Sequence, residues 1–370
     1  MKMTSNRRAT AFVLAGVLAL SACGEAPEED DAGTDEPAED AGTEDEADAE
    51  GEGDAAAASD VQACMITDQG GIDDGSFNET AYTGLLRAEE ELGVEIAYLE
   101  SQSETDFQPN MEAFIQQDCD LIVPVGFLLA EVTGEAAEAN PDQDFAIVDY
   151  PNEWELDNVL GLLFATDQAA FLAGYAAASY SETGTVGTYG GVNIPTVTIF
   201  MDGFLAGVEY FNEENGEDVE LLGWDGEDGQ FTGDFESQDL GRNVTETLLD
   251  NGADVIMPVA GPVGGGSAAA IQDRGEGALI WVDTDGYEST EFGDIMFTSV
   301  MKQMDVAVFD AIEAQVNESF EGGDYFGTLD NDGVRLSPFH DYDAELPDGL
   351  QDELDTLREG IIAGEIEVTP

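Results

Sequence analysis

The stretch Ala63–Gly84, ACMITDQGGIDDGSFNETAYTG, decides how the rest of the chain is read. Its opening residues, ACMITD, are an apolar run that ends on Asp68. A loop follows with Gly70, Gly71, Asp73, Asp74 and Gly75, then a single aromatic, Phe77, and then the helical pattern NETAYTGLLRAEEEL. Ser76 and Glu79 have the S-x-x-E spacing of a capping box, in which hydroxyl and carboxylate satisfy the first free N–H groups of a helix. Asp73 and Asp74 read as loop and turn residues. A strand that ends on a carboxylate and hands over to a helix start is half of a βα unit, and in such units ligands gather outside the carboxyl ends of the strands.

The same alternation continues outward. Strand-like runs follow at 94–100 (VEIAYLE), 120–126 (DLIVPVG), 144–149 (DFAIVD) and 158–164 (NVLGLLF), then at 184–190 (GTVGTYG), 219–224 (VELLGW), 254–260 (DVIMPVA) and 278–283 (ALIWVD). Helical patterns such as FLAGYAAASY, FMDGFLAGVEYFNEE and DVAVFDAIEAQVNESF sit between or after them. Alternation of this kind predicts parallel sheets covered by helices on both faces. There are too many strands for one compact sheet and the pattern restarts near Ala165, so the fold class is α/β with two doubly wound parallel-sheet lobes. Sorted by the strand-end rule, Asp68, Gly126, Asp149, Gly261 and Asp283 converge on the ligand edge.

The N-terminus speaks to compartment. Residues 1–22 carry Lys2, Arg7 and Arg8, then the apolar run Ala11–Leu20. That run is too short to span a bilayer and has the charge order of a secretory signal. Leu20-Ser21-Ala22-Cys23-Gly24 resembles a bacterial lipobox, which implies cleavage before Cys23 and a lipid on its sulfur. Residues 24–60 hold 17 acidic residues and no basic or aromatic one. Such a segment buries too little apolar surface to offset its ordering entropy, so 23–60 is expected to be a solvated acidic tether.

The remaining stretch, 61–370, carries 66 acidic residues against six basic ones, a net charge of −60. That charge makes nucleic acid and anionic membrane surface poor partners. It reads as an adaptation to a salty medium, where counterions screen self-repulsion. Cys64 and Cys119 each open an apolar run. On neighbouring parallel strands in an oxidising compartment they form a disulfide; the other reading is two buried thiols.

DQGGIDDGSFNETAYTGLLRA, ESQSETDFQPN, VPVGF, FAIVDY, IPTVTIFMDGFLAGVEY, GADVIMPVAGPVGGG, WVDTDGY, TSVMKQMDVAVFDAI and LSPFHDYD are similar, in that order, to the basic membrane protein (BMP) family. These are substrate-binding lipoproteins of ABC importers, related to the purine nucleoside receptor A group. The resemblance covers 61–364. It implies a type I periplasmic-binding-protein fold joined by a hinge, with 61–165 and 286–322 in one lobe and 166–285 and 323–370 in the other. It also implies a ligand site at Asp68, Phe77, Asn78, Asp149, Phe200, Gly261, Asp283 and Lys302. In that site Phe77 and Phe200 sandwich a nucleobase from opposite lobes. Asn78 and Asp149 read its edge, while Asp68, Asp283 and Lys302 hold ribose hydroxyls beside the bare backbone of Gly261.

Lys302 stands out without any family, being the only lysine apart from Lys2. A lysine at the start of the helix beginning near Asp305 opposes the helix dipole, so mere capping explains it poorly. For Phe77 and Phe200, spacing alone favours core packing. His340 has no second histidine or cysteine for a metal, and DTDG and DNDG lack the further ligands of a calcium loop. The glycines of GPVGGGSAAA lack the lysine of a P-loop, and Ser267 has no histidine tied to it. No metal, cofactor or catalytic residue is expected.

The resulting expectation is a non-enzymatic, monomeric solute-binding lipoprotein. It is anchored outside the cytoplasm on the cell membrane through Cys23 and passes a nucleoside, a purine nucleoside first, to ABC permease and ATPase subunits. The alternatives are a ligand-sensing receptor for signalling and an extracellular hydrolase. The charge carries its own test: the melting temperature is expected to climb as sodium chloride rises from about 0.1 M to about 1 M, where the screening length shrinks from roughly 10 Å to roughly 3 Å. A flat profile removes the salt adaptation.

Overall fold

The computed structural model describes residues 59–368. The leader expected at 1–22, the lipid site at Cys23 and nearly all of the tether expected at 23–60 lie outside the described residues.

The first six-element run is β1 (Gln62–Thr67), α1 (Phe77–Leu92), β2 (Glu95–Leu99), α2 (Phe107–Gln116), β3 (Leu121–Val125) and α3 (Ala130–Ala139), followed by β4 (Asp144–Val148) and β5 (Val159–Phe164). The second comprises α4 (Thr166–Tyr180), β6 (Thr185–Gly190), α5 (Pro195–Asn215), β7 (Glu220–Leu222), α6 (Gln238–Asp250), β8 (Val255–Val259), α7 (Gly264–Arg274) and β9 (Ala278–Asp283). A short α8 (Gly286–Ser289), β10 (Met296–Lys302), α9 (Met304–Val316), β11 (Gly323–Gly327), β12 (Val334–Leu336) and α10 (Leu350–Ile362) complete the fold.

The strands make two sheets of six, ordered β11-β5-β4-β3-β1-β2 and β12-β10-β9-β8-β6-β7. Every pairing is parallel except β10 with β12. β3, β8, β9 and β10 are buried along their whole length. That is how strands covered by helices on both faces read: continuous Val, Ile and Leu rather than alternation. All nine strands expected from the sequence are present, and β10, β11 and β12 are additional.

The lobe boundaries need correction. Within 286–322, expected in the first lobe, β10 belongs to the second sheet; within 323–370, expected in the second, β11 belongs to the first. The chain changes sheet after Phe164, after Lys302 and again after Gly327. α9 returns to the first lobe, packing on α1 and against β3, β4 and β5, and β11 follows it there. These late crossings are short, and a five-residue strand bounded by glycines announces no change of lobe.

The lobes share a device. Pro124 stands fourth in β3 and Pro258 fourth in β8. The register of β3 is unbroken toward β1 but skips this position toward β4, and that of β8 toward β9 stops after Ile256. A proline has no N–H for the ladder, so one side must open. In both lobes the opening lies beside the strand that ends on a site carboxylate, Asp149 or Asp283.

Cys64, in the middle of β1, and Cys119, two residues ahead of β3, are joined by a disulfide with Cα atoms 6.1 Å apart. The bond lies inside the first lobe and closes 55 residues of sequence. Constraining a loop of that length in the unfolded chain is worth about 4 kcal/mol. The double variant Cys64→Ala, Cys119→Ala is expected to lose stability of that order in denaturant titration at high salt, and an unchanged midpoint would show the bond to be idle.

Candidate functional site

Between the lobes the carboxyl ends of the two sheets face one another across a cleft. Asp68 follows β1, Asp149 follows β4, Asp283 ends β9 and Lys302 ends β10. All four are buried, with exposures of 7%, 7%, 6% and 2%. The Lys302 ammonium bonds both oxygens of Asp149, at 2.8 and 2.6 Å, and stands 3.9 Å from Asp283. Since Asp149 belongs to the first sheet and Lys302 to the second, the ion pair spans the lobes. The Phe77, Phe164 and Phe200 rings surround the same ammonium at 4.7, 5.4 and 5.8 Å, an aromatic box whose negative faces favour a desolvated cation.

The backbone is bent to deliver these groups. Asp149 and Asp283 have φ of 65° and 72°, the left-handed region that aspartate tolerates better than most side chains but still at a cost. Gly126, at the end of β3 with φ 115°, lies so close to Asp68 that a Cβ would meet its Oδ2 at 2.3 Å. Gly261, with φ 53°, faces open space.

Helix α1 supplies the next group, though not as its capping box suggested. The Ser76 hydroxyl makes no cap bond. The cap is Asp74, whose carboxylate accepts the N–H groups of Ser76, Asn78 and Glu79 at 2.9, 3.0 and 3.1 Å; Glu79 accepts from the N–H of Gly75. Ser76 instead donates across the cleft to Asp283 Oδ2 at 2.9 Å. Beside it, Trp281 Nε1 and the Ser289 hydroxyl both donate to the Gly75 carbonyl, at 3.1 and 3.2 Å. The loop that starts α1 is thus tied to the opposite lobe.

Asn78 offers less than its residue type allows. Its Nδ2 donates to Asp68 Oδ1 at 3.2 Å, the Gln69 carbonyl at 3.1 Å and Asp74 Oδ2 at 3.3 Å, three acceptors that fix which end of the amide is nitrogen. Its Oδ1 is buried and has no partner among the described residues. In this arrangement Asn78 can accept from a ligand, not donate.

Asp68, Phe77, Asn78, Asp149, Gly261, Asp283 and Lys302 all line the cleft together. Phe200 does not. It is 2% exposed and stands behind the ammonium as one wall of the aromatic box. The second lobe instead presents Val197 and Phe235, and the first adds Phe127. With the walls where they stand the slot is narrow, about 60 Å³. That is room for about two waters, so a larger ligand enters only as the lobes part.

Burial controls the protonation of the carboxyls. It pushes Asp68 well above the ordinary carboxylate range, opposed by the Asn78 hydrogen bond. It pushes Asp283 up to about 6, opposed by the Lys302 charge and the Ser76 hydroxyl. Two other polar residues singled out by sequence are structural. Ser267 is buried and bonded to Tyr189 and Thr245, and His340 bonds Asp285 at 2.8 Å while stacking on Tyr287.

A family profile described as ABC transporter substrate-binding protein PnrA-like, the Bmp family, matches residues 61–369. The chain belongs to the Bmp family. It is a substrate-binding protein of an ABC transporter, from a family of solute binders. Among Bmp relatives, an ABC transporter nucleoside-binding protein, BmpA, of Lactococcus lactis subsp. cremoris is 30% identical over 297 residues, 75% of this chain and 82% of the relative. An uncharacterized lipoprotein of Pyrococcus abyssi is 34% identical over 313 residues, 80% of this chain and 76% of the relative. A crystal structure of an ABC transporter system solute-binding protein from Aeropyrum pernix K1 matches with a TM-score of 0.73 and 31% identity, covering 84% of this chain and 94% of that one.

In this Bmp cleft the raised carboxyls have a sign that can be measured. A carboxyl whose folded pKa lies above its unfolded value favours folding at low pH, and that contribution disappears as pH rises from the model-peptide value of 3.8 through about 6. Asp283→Asn has no proton to lose. Its stability relative to the parent chain is expected to improve by about 2 kcal/mol between pH 4 and pH 7, measured by urea titration at constant high salt. A pH-independent difference would place Asp283 in contact with water.

Proposed function

We propose that this Bmp protein captures a nucleoside, a purine nucleoside in the first place, by closing its two lobes around it. The observation that carries the reading is the pairing in one cleft of an aromatic face, Phe77, with a set of hydrogen-bond acceptors: Asp68, Asp149, Asp283 and the unpartnered Oδ1 of Asn78. A base stacks on the ring at roughly 1–3 kcal/mol. Its N–H groups donate to Asn78 and Asp149, each oxygen of which keeps a lone pair beside Lys302. Ribose hydroxyls donate to Asp68 and Asp283, with the Gly261 backbone alongside. Phe235 and Val197 close the second face of the base in place of Phe200. The nucleoside-binding name of the Lactococcus lactis relative supports the same reading.

The protein then works outside the cytoplasm, held to the cell membrane by a lipid on Cys23, as a monomer that hands its ligand to permease and ATPase subunits. The lipoprotein name of the Pyrococcus abyssi relative supports the anchor.

Two measurements test the site by calorimetry at high salt. Phe77→Ala and Asp283→Ala are each expected to weaken purine nucleoside binding by at least 1–3 kcal/mol, roughly 10- to 100-fold, with the fold intact. Unchanged affinity in either variant overturns its assignment. Hydroxyls that donate to Asp283 favour its ionised form, so binding releases a proton below pH 6 and affinity is expected to fall about tenfold between pH 7 and pH 5. Affinity that holds or improves in acid would place the hydroxyls elsewhere.

A further inference from the structure

The narrow slot is not where the cleft ends. Past the Asp149–Lys302 pair, on the side where the chain crosses between lobes, it adjoins a second, solvent-open chamber of about 400 Å³. Phe127, Asp149, Thr196 and Lys302 line both spaces, so the two share a wall. The walls found only in the chamber are largely apolar: Leu163, Phe164, Pro195, Ile199 and Phe326. Phe326, on β11, is 57% exposed, an unusual position for a large apolar ring. The chamber also holds the Thr166 hydroxyl and Asp167 Oδ1, two buried polar atoms without a partner among the described residues.

We propose that this chamber receives an apolar substituent of the ligand, so that the chain binds nucleosides whose base carries such a group at the edge facing Asp149. The proposal rests on the nucleoside reading above, in which Asp149 meets the base edge. Hydrocarbon gains about 25 cal/mol for each Å² of apolar surface it removes from water, and Leu163, Phe164, Ile199 and Phe326 offer that surface directly beyond the base-reading carboxylate.

The test titrates the full-length chain at high salt with adenosine and with N6-benzyladenosine, which extends the base by one apolar ring. The benzyl derivative is expected to bind roughly tenfold more tightly than adenosine. Ile199→Trp, which fills the chamber, is expected to abolish that advantage while leaving adenosine affinity within about threefold, with thermal melts confirming the fold. Weaker binding of the benzyl derivative than of adenosine, or equal losses for both ligands in Ile199→Trp, overturns the role of the chamber while leaving the nucleoside reading intact. If neither compound binds, the nucleoside reading fails and this proposal falls with it.

Discussion

One buried ammonium organises the centre of this molecule. Taking Lys302 and three carboxyls out of water costs several kcal/mol for each ion, and the attraction among them offsets this only where geometry is close. Here the geometry is close only when both sheets present their ends together. Asp149 comes from one sheet and Lys302 from the other, and Phe77, Phe164 and Phe200 converge from two helices and a strand to enclose the charge. Burial disfavours the charged form of a carboxyl, and it raises both Asp68 and Asp283, Asp283 to about 6. The left-handed turns at Asp149 and Asp283 are the backbone side of the same constraint.

The two lobes solve the problem in parallel. A buried strand with a proline in fourth place ends beside a strand that ends on aspartate, once as LIVPV with Asp149 and once as VIMPV with Asp283. The missing ladder bond frees the end of the neighbouring strand to turn. Repetition also explains how a symmetric architecture yields an asymmetric site: β10 holds the place in the second sheet that β5 holds in the first, and of the two only β10 carries a lysine.

Legibility in the sequence followed the physics of each feature. Strands such as β3, β8 and β9 were readable because burial on both faces leaves a continuous signal. β10 was not, since MFTSVMK mixes threonine and serine that bond to Ser337 inside the fold. β11, GDYFG, is bounded by glycines and partly exposed, and β12 is three residues long, so neither carries an apolar run. Asp68, Asp149, Gly261 and Asp283 followed from the rule that ligands gather at strand ends, and Lys302 from its rarity. Phe200 was placed in the cleft by resemblance, but the rotation of α5 turns its ring toward the ammonium instead. The capping box misled because hydroxyl and carboxylate compete for the same N–H groups. Asp74 already occupied them, leaving Ser76 free to reach the other lobe. Phe127 and Phe235 carry no local pattern at all; only the folded chain brings them to the cleft.

Lysine scarcity has a further consequence. On a surface where four of the five arginines beyond the leader pair with carboxylates, no second side-chain amine accompanies Lys302 in the described residues. Its nitrogen is sealed between the lobes, reachable by a reagent only when they separate. The molecule therefore carries an intrinsic chemical clock: acylation at this single nitrogen counts how often the jaws come apart, and any ligand that holds them together slows the count.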